Sequence, residues 1–401
     1  MTPSQAADQK ATRQHTRQHN ARLVLKTIYE VGEVSRADLA RLTGLTRATV
    51  SNIVAEYLEK GMVAETGYGP SLGGKPPILL RLVPDARQLI CLDLGSEQFT
   101  GALVNLRGQF EKQISLPVNG RTAQPAVDLV DELVDQLLAH VTAPLLGLAL
   151  GSPGLIDTAA GVVKQSVNLA WHDLPLRQLL ADRCGCPVYL ANDSHLAALA
   201  EYSYGRRATN SLVLIKLGQG IGAGLVLNSR LFPGEGFGAG EIGHVRVVDS
   251  GEPCSCGNTG CLETVASLPA LLRQAETAAA NTPTSLLAVG RPSGQPITWG
   301  LLQQACQQGD AAARQVVTQA GEFLGIAVAN LVGILNVQHI VLAGEVAQLG
   351  DLFLNAVQSS MVRRVLPALA ATTAVQFVTV ETNLVLLGAA ALILSQGLGV
   401  I

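Results

Sequence analysis

Charged side chains are scarce in this 401-residue sequence: they make up 15% of it, and aromatic residues only 4%. Hydrophobic residues reach 48%, and the formal net charge is −3. This composition excludes a disordered chain, which needs high charge and low hydrophobicity, and a protein that coats nucleic acid along its whole length. The 41 glycines allow strands and helices to pack closely. The chain is long enough for two or three domains of about 100–200 residues each.

Signals for export and for membrane insertion are also missing. The start of the chain is polar and basic and has no apolar segment, which excludes a secretory signal peptide. The longest uncharged stretch, residues 383–401, approaches transmembrane length, but glycines and polar residues interrupt it. We interpret this stretch as a buried helix that ends at about Leu394. We therefore expect a cytoplasmic protein with no membrane partner.

The net charge is uneven along the chain. Residues 1–85 carry 11 Lys and Arg against 8 Asp and Glu, a balance of +3, whereas the remainder carries 17 against 23, a balance of −6. The two parts therefore suit different partners. We expect a flexible arm over residues 1–20 and a small domain over residues 21–85.

Three helices and two strands are predicted in the small domain. The helices are expected over residues 21–29, 36–42 and 47–60, and the strands over residues 62–65 and 78–83. Ser35 and Thr46 are good N-caps, and Gly44 makes a tight turn between the second and third helices. The loop between the strands is rich in glycine, as a wing is. The pattern therefore predicts a winged helix-turn-helix.

The third predicted helix presents side chains that can read DNA at its start. Short donors and acceptors reach base edges and phosphates, and an arginine suits guanine, where a recognition helix enters the major groove. The candidate DNA-binding residues are Arg36, Thr46, Arg47, Thr49, Ser51 and Asn52, with Lys75 on the wing. The alternatives are a three-helix cap that binds protein or nothing, and a Lys75 that is only solvated.

A repeated pattern organises the rest of the chain. Residues 89–95 and 212–218 each form an apolar run that ends in glycine, and a second glycine follows six positions later. Two such strand–turn–strand units, 123 residues apart, predict a duplicated α/β unit. The two resulting lobes would face each other across a cleft, where small ligands usually bind. Asn192 and Asp193 follow a buried strand and are expected to point into that cleft.

The sharpest cluster combines histidine and cysteine. Gly240-Glu-Ile-Gly-His244 is followed, after nine residues, by Cys254-Ser-Cys256-Gly-Asn-Thr-Gly-Cys261. One histidine and three cysteines suit a closed, tetrahedral, structural zinc site, and the glycines permit the tight turn that gathers the thiolates. The alternative is a set of buried thiols beside a core histidine. The remaining cysteines are predicted to be ordinary core thiols: Cys91, Cys184, Cys186 and Cys306.

These motifs together resemble the ROK family of bacterial repressors and sugar kinases. The resemblance rests on the glycine-rich run 217–225, on Gly234, on the segment ending in His244 and on the cysteine segment through Glu263. It implies an α/β, actin-like fold, the duplicated ribonuclease H-like architecture of sugar kinases, preceded by the winged helix-turn-helix that only the family's repressors carry. The lobes are expected over residues 86–200 and 201–401, with the C-terminal helix able to pack back on the first lobe.

The resemblance also implies the ligands. Zn²⁺ would be held by His244, Cys254, Cys256 and Cys261, and a monosaccharide would lie among Asn168, Asn192, Asp193, Glu241, His244 and Glu263. Carboxylates and amides pair with vicinal hydroxyls, and such a site rejects analogues that lack them. His244 can bind sugar through one ring nitrogen while the other ligates zinc. For Asn168 the alternative is a structural loop cap.

The predicted nucleotide site departs from that of the family's kinases. Those kinases typically read Asp-x-Gly-Gly-Thr where this sequence reads Asp93-Leu-Gly-Ser-Glu97, and they have threonine at the position of Gln219. The segment 342–345 replaces a glycine-rich adenosine segment. Asp193 matches the kinases' catalytic base and is therefore a candidate vestigial base.

We therefore predict a regulator, a repressor of carbohydrate genes, that binds a monosaccharide without phosphorylating it. It would act as a homo-oligomer, a dimer or tetramer, on a palindromic operator in double-stranded DNA. The alternatives are an ATP-dependent sugar kinase with a DNA-binding head and a scaffold that binds a phosphotransfer protein instead of sugar.

Overall fold

The computed structural model describes residues 13–70, 76–206, 209–292, 294–380 and 383–401. Its N-terminal part, called the head below, contains three helices and a three-stranded antiparallel sheet in the order β1-β3-β2. The elements of the head are α1 (Arg13–Val31), β1 (Glu33–Ser35), α2 (Arg36–Thr43), α3 (Arg47–Glu59), β2 (Val63–Tyr68) and β3 (Ile78–Leu82). The proposed wing residue Lys75 lies outside the described residues.

The predicted caps are confirmed in the head. The Ser35 side chain accepts a hydrogen bond from the backbone N–H of Asp38, and Thr46 accepts one from the N–H of Thr49. Gly44 ends α2 in the left-handed conformation, with φ of 70°.

Two expectations for the head are corrected. Helix α1 begins at Arg13, so residues 13–20 are helical and not part of a flexible arm. These residues are polar and give no apolar periodicity, yet Arg17 forms an ion pair with Glu56 of α3. Strand β1 was not predicted, because three residues are too short to show an alternating pattern.

The first lobe is built on a five-stranded sheet in the order β11-β7-β4-β5-β6. Strands β4, β5 and β6 are antiparallel neighbours, whereas β7 and β11 run parallel to β4. A small sheet, β10-β9-β8, is attached to this lobe. The elements are β4 (Gln88–Leu94), β5 (Gln98–Asn105), β6 (Phe110–Pro117), α4 (Ala123–Leu138), β7 (Leu145–Ser152), β8 (Leu155–Asp157), β9 (Val162–Ser166), β10 (Trp171–Leu174), α5 (Leu176–Cys184) and β11 (Val188–Asn192).

The second lobe repeats this topology. Its sheet has the order β14-β13-β12-β15-β16, with an antiparallel β12-β13-β14 half and parallel β12, β15 and β16. The elements from residue 193 onward are α6 (Asp193–Tyr204), β12 (Leu212–Leu217), β13 (Ile221–Leu227), β14 (Arg230–Leu231), α7 (Glu263–Ala266), α8 (Leu268–Asn281), α9 (Leu286–Val289), α10 (Trp299–Gln307), α11 (Ala311–Leu335), β15 (His339–Ala343), α12 (Asp351–Val362), α13 (Pro367–Ala370), β16 (Ala374–Phe377) and α14 (Leu384–Gly397). The predicted duplication and the two-lobed α/β fold are confirmed.

Helices α6 and α14 connect the parts of the molecule. Helix α6 packs on β12 and β13 of the second sheet and on α14, and α14 packs on β4 and β7 of the first sheet. The two helices are in very close contact, since a Cβ added at Gly388 would lie 1.9 Å from the carbonyl oxygen of Leu196. The predicted buried C-terminal helix is confirmed, although it ends at Gly397 and not at Leu394.

The apolar core of the head is continuous with this layer. Buried residues of α1 and α3 share one cluster with residues of β4, β5 and α14. Helix α11 is long and apolar enough to cross a membrane, but half of its most apolar 18-residue stretch is buried inside the protein. A helix in the core of a soluble protein can be equally long and apolar, so length and composition alone are weak evidence for a membrane span.

Candidate functional site in the cleft between the lobes

Helix α6 begins at the cleft, where β11 ends. Its N-cap is Asn192, whose side chain accepts a hydrogen bond from the backbone N–H of Ser194 at 2.8 Å and donates one to the carbonyl of Gly154 at 3.0 Å. Asp193 is the first residue of the helix and is half-buried. Both predicted polar residues therefore lie where a parallel strand ends, the usual place for a ligand in an α/β sheet.

Asp193 forms an ion pair with Lys216 of the second sheet. The Lys216 Nζ lies 2.6 Å from the Asp193 Oδ2. Burial opposes ionisation of Asp193, but the charge of Lys216 and hydrogen bonds from Lys216 and Ser194 outweigh it, so the pKa of Asp193 is lowered. A carboxylate held ionised by an ammonium group is a weaker proton acceptor than a free one, because its pKa lies further from neutrality.

Two more polar contacts involve residues in or next to the central strands β4 and β12. The Gln219 side chain, on the loop after β12, donates a hydrogen bond to Glu97, on the loop after β4, at 2.9 Å. The Asn383 side chain lies 3.4 Å from the Asp93 carboxylate, to which it donates. The contact between Gln219 and Glu97 thus joins the two lobes.

Glu241, His244 and Glu263 line the cleft beside Asp193. Burial raises the pKa of Glu241, His244 lowers it, and the charges of Asp193 and Glu263 raise it further, so these groups are close to one another. The Nε2 atom of His244 lies 3.9 Å from a carboxylate oxygen of Glu241. The Glu263 carboxylate accepts a hydrogen bond from the backbone N–H of Ile221 at 3.0 Å. Several acceptors for hydroxyl groups are thereby gathered at one place.

Asn168 makes no direct contact, by hydrogen bond, with the other candidate sugar residues that the structure describes. It is exposed in the turn between β9 and β10. The small sheet that carries it is nevertheless joined to the cleft, because Asn192 binds the carbonyl of Gly154, which precedes β8. The role of Asn168 stays a prediction.

The predicted metal ligands converge. The ligand atoms of His244, Cys254, Cys256 and Cys261 all lie within 4.8 Å of one another. The Cys254 sulfur is 3.5 Å from the His244 Nδ1, and the Cys256 and Cys261 sulfurs are 3.7 Å apart. Around a tetrahedral zinc ion, bonds of about 2.3 Å to sulfur and about 2.0–2.1 Å to nitrogen place a sulfur and a nitrogen ligand about 3.6 Å apart and two sulfur ligands about 3.8 Å apart. The donor set therefore fits zinc.

The orientation of the His244 ring would let one nitrogen ligate a metal while the other faces the cleft. Its Nδ1 faces the cysteines, while its Nε2 faces Glu241 and the cleft. A hydrogen bond from the backbone N–H of Asn258 lowers the pKa of Cys256 to about 7, which favours the thiolate that ligates metal. A metal held here would orient a residue of the predicted sugar site.

The other cysteines divide into two groups. Cys91 and Cys306 are buried, as predicted for core thiols. Cys184 and Cys186 are only half-buried, and their sulfurs lie 3.0 Å apart on either side of Gly185, which ends α5. Both pack against the apolar core of the first lobe, so the prediction of core thiols holds for this pair except that neither is fully buried.

The candidate DNA-binding residues lie at the start of α3. Arg47, Ser51 and Asn52 are exposed, whereas Thr46 and Thr49 share a hydrogen bond between their hydroxyl groups at 2.9 Å. Arg36 is half-buried and donates a hydrogen bond to Glu65 of β2 at 2.8 Å. Among the described residues, Arg47 has no side-chain hydrogen bond or ion pair, so its guanidinium is free to contact a ligand.

Sequence reasoning missed Lys216 as a site residue. The signal was present, because Lys216 is the one charged residue of the strand Leu212–Leu217, whose other residues are all buried. A lysine near the end of a buried strand needs an acidic partner, and that partner could have been sought among the cleft carboxylates.

The protein has two lobes of the sugar-kinase fold class, preceded by a small head. This follows from the duplicated sheets, the polar cleft between them and the cluster of one histidine and three cysteines. The chain belongs to the ROK family, whose model matches residues 89–396. It is 31% identical to the xylose repressor of Caldicellulosiruptor bescii over 386 residues, which cover 95% of this chain and 96% of that protein.

The solved structures similar to the chain include a regulator and a kinase. One is a ROK family transcriptional regulator described as a homologue of the Escherichia coli Mlc protein, with a TM-score of 0.83 and 27% identity, covering 96% of this chain and 97% of the other. The second is a ROK family glucokinase from Streptomyces griseus in complex with glucose and AMPPNP, with a TM-score of 0.66 and 27% identity. That match covers 76% of this chain and 98% of the kinase.

Proposed function

We propose that this protein is a sugar-responsive transcriptional repressor that binds a monosaccharide in its cleft and does not phosphorylate it. The observation that carries the proposal is the ion pair between Lys216 and Asp193, at 2.6 Å, within a cleft that otherwise has the acceptors for a sugar. Similarity over nearly the full length to a xylose repressor supports the same conclusion. We expect the protein to be cytoplasmic and to regulate genes of carbohydrate metabolism.

The head supports a role in binding DNA. The order of helices and strands in residues 13–82 is that of a winged helix-turn-helix, with α3 as the recognition helix. Arg47, Ser51 and Asn52 are exposed on its first two turns and would contact base edges, while Thr46 and Thr49 would contact phosphate. A dimer or tetramer that reads a palindromic operator follows from this type of head.

The cleft supports a role in binding a monosaccharide. Asp193, Glu241 and Glu263 would accept hydrogen bonds from hydroxyl groups, and the Nε2 of His244 would add a fourth contact. Asn168 and Asn192 would complete the site, and Zn²⁺ on His244 and the three cysteines would hold His244 in place. Removal of the metal would loosen the fold and the pocket together.

The rival function is an ATP-dependent sugar kinase that carries a DNA-binding head. Similarity to a glucokinase keeps this candidate open, and Asp193 would be its base. In this chain Asp193 is already bound by Lys216, and Glu97 is bound by Gln219. Phosphoryl transfer needs a base free to accept the substrate hydroxyl proton and a clamp that neutralises phosphate charge. We therefore expect no transfer.

One experiment separates the two functions. The purified protein is incubated with Mg-ATP and D-xylose, D-glucose or N-acetyl-D-glucosamine, and sugar phosphate and ADP are measured beside thermal unfolding. A repressor is expected to show a sugar-induced rise in unfolding temperature and no sugar phosphate. Turnover that is lost in Asp193→Asn would establish the kinase. Absence of any sugar-induced shift would favour a scaffold for a phosphotransfer protein.

A further inference from the structure

Lys216 places a fixed positive charge inside the cleft. It follows four buried residues of β12 and lies opposite the start of α6, with 32% of its side chain exposed. Its ammonium group donates a hydrogen bond to Asp193. Asp193 begins α6, which packs on the second sheet, whereas Asp93 lies in β4 of the first sheet, so the charge of Lys216 acts on carboxylates from both lobes.

Three carboxylates act on the charge of this ammonium group: Asp193 forms the ion pair at 2.6 Å, and Asp93 and Glu345 act through their charges. Burial favours the neutral form of Lys216, but the charges of Asp193, Asp93 and Glu345 outweigh that effect and raise its pKa. Asp93 in turn is affected most by burial, which raises its pKa, while Lys216 lowers it. Several carboxylate oxygens around one position form the donor set that a divalent cation such as Mg²⁺ or Mn²⁺ takes in proteins. Here that position is served by a side-chain cation.

The cleft does not fit a metal-bound nucleotide. A phosphate group needs neutralising donors, whereas the loops that would receive it carry Glu97 and are joined by the hydrogen bond between Gln219 and Glu97. Of the carboxylates that would hold its metal, Asp193 is paired with Lys216, and a Cβ at Gly218 would lie 2.5 Å from a Glu345 oxygen.

We propose that the Lys216 ammonium group is a built-in replacement for a divalent cation and that, together with Gln219, it holds the two lobes closed without a nucleotide. The part of this inference that concerns sugar rests on the proposed function. Lys216 acts there as a positioning residue: it fixes Asp193 as an ionised acceptor for a sugar hydroxyl. An ionised carboxylate has about four acceptor sites, so the bonds from Lys216 and Ser194 leave room for a sugar.

The first test uses Mn²⁺ and needs no sugar. Zinc-loaded, full-length wild type, Lys216→Met and Lys216→Arg are titrated with Mn²⁺, and bound metal is followed by electron paramagnetic resonance. Lys216→Met leaves three carboxylates without their cation and is expected to gain one Mn²⁺ site, at least tenfold tighter than any site in wild type. Lys216→Arg keeps the charge and is expected to match wild type. Equal Mn²⁺ binding by Lys216→Met and wild type would overturn the proposal.

A double variant tests whether the gained Mn²⁺ site lies in the cleft. Combining Lys216→Met with Asp93→Asn removes one of the three carboxylates and is expected to abolish the gained site. If the double variant kept the site, the metal would be bound elsewhere and the assignment to the cleft would be wrong. Thermal unfolding of each variant separates loss of folding from loss of the site.

The second test is the pH profile of sugar binding, measured with D-xylose, D-glucose and N-acetyl-D-glucosamine. Asp193 is faced by Lys216, Asp93, Glu241 and His195. Without Lys216, burial and the neighbouring carboxylates raise the pKa of Asp193, so the acceptor is lost as pH falls. Affinity is expected to fall between about pH 8 and about pH 5 by at least tenfold more in Lys216→Met than in wild type or Lys216→Arg, because the other acceptor with a raised pKa, Glu241, is the same in all three.

The outcomes of the two tests are distinguishable. Parallel pH profiles in wild type and Lys216→Met would refute the positioning role of Lys216. If wild type binds none of the three sugars, the sugar part of the proposed function fails, while the Mn²⁺ titration still decides whether Lys216 replaces a cation.

Discussion

Arg107→Ala is expected to uncouple the DNA-binding head from the cleft. Arg107, on the turn between β5 and β6, donates a hydrogen bond to the carbonyl of Tyr29 in α1 at 2.6 Å and lies over the Tyr29 ring, 4.5 Å from its centroid. Tyr204, at the far end of α6, is next to this contact, because a Cβ on Gly108 would lie 3.2 Å from its ring. Helix α6 therefore reaches from Asp193 in the cleft to the surface on which the head rests.

The size of the effect follows from these contacts. A hydrogen bond from a charged donor contributes about 1.5 kcal/mol at the lower end of its range, and a half-exposed cation–π contact contributes about 0.5–1 kcal/mol. Their loss weakens docking of the head by about 2 kcal/mol, which corresponds to roughly a 30-fold change in an equilibrium constant. The 12 residues of α6 span about 18 Å, so the link between cleft and head is one rigid element.

The assay measures DNA affinity by fluorescence anisotropy, with an operator selected from a random pool, in the presence and absence of the sugar that raises thermal stability. In wild type the sugar changes the DNA dissociation constant by a fixed factor, and in Arg107→Ala that factor is expected to approach one. Arg121→Ala is the matched control, because Arg121 also donates to a backbone carbonyl, but that of Pro117 within the first lobe and not one in the head. Equal factors in wild type and Arg107→Ala would refute the role of this contact.

Three further predictions concern zinc, DNA and packing. Cys256→Ser is expected to lose the single zinc ion and to lower the unfolding temperature and sugar affinity together, while Cys184→Ser keeps one zinc ion per chain; unchanged zinc content in Cys256→Ser would contradict the ligand set. Arg47→Ala is expected to weaken specific operator binding by about 1–3 kcal/mol in titrations at fixed salt, and normal binding would exclude α3 as the recognition helix. Gly388→Ala places a Cβ 1.9 Å from the Leu196 carbonyl oxygen and is expected to lower the free energy of unfolding by about 1–3 kcal/mol in urea titrations, whereas Gly333→Ala meets no neighbour within 4 Å and should be neutral or stabilising; equal effects would refute the close packing of α6 and α14.

The fold could be predicted where local chemistry determines it. Caps such as Ser35 and Thr46 and the turn glycine Gly44 act within a few residues, so the sequence alone located α2 and α3. The repeated strand–glycine–strand pattern predicted the duplicated lobes for the same reason. Residues 13–20 escaped prediction because they are polar and have no apolar periodicity, while the ion pair of Arg17 with Glu56 of α3 joins residues that are distant in sequence.

The site was predicted only in part. The four candidate metal ligands lie within 18 residues of one another, and their types and spacing restrict the chemistry, so the sequence alone could predict that they converge. Lys216 was missed because its role depends on carboxylates from three separate parts of the chain, which only the fold brings together. The hydrogen bond between Gln219 and Glu97 could not be predicted for the same reason. Each residue differs from the kinase pattern, but the two are 122 positions apart in the sequence.

The proposal that sugar acts as a signal and not as a substrate is tested most directly by operator binding without nucleotide. The DNA dissociation constant of the full-length protein is measured with each of the three sugars, first without ATP and then with Mg-ATP. We predict that one sugar changes the dissociation constant at least fivefold and that Mg-ATP leaves this change and the sugar itself unaltered. A response that requires Mg-ATP, accompanied by sugar phosphate, would contradict it.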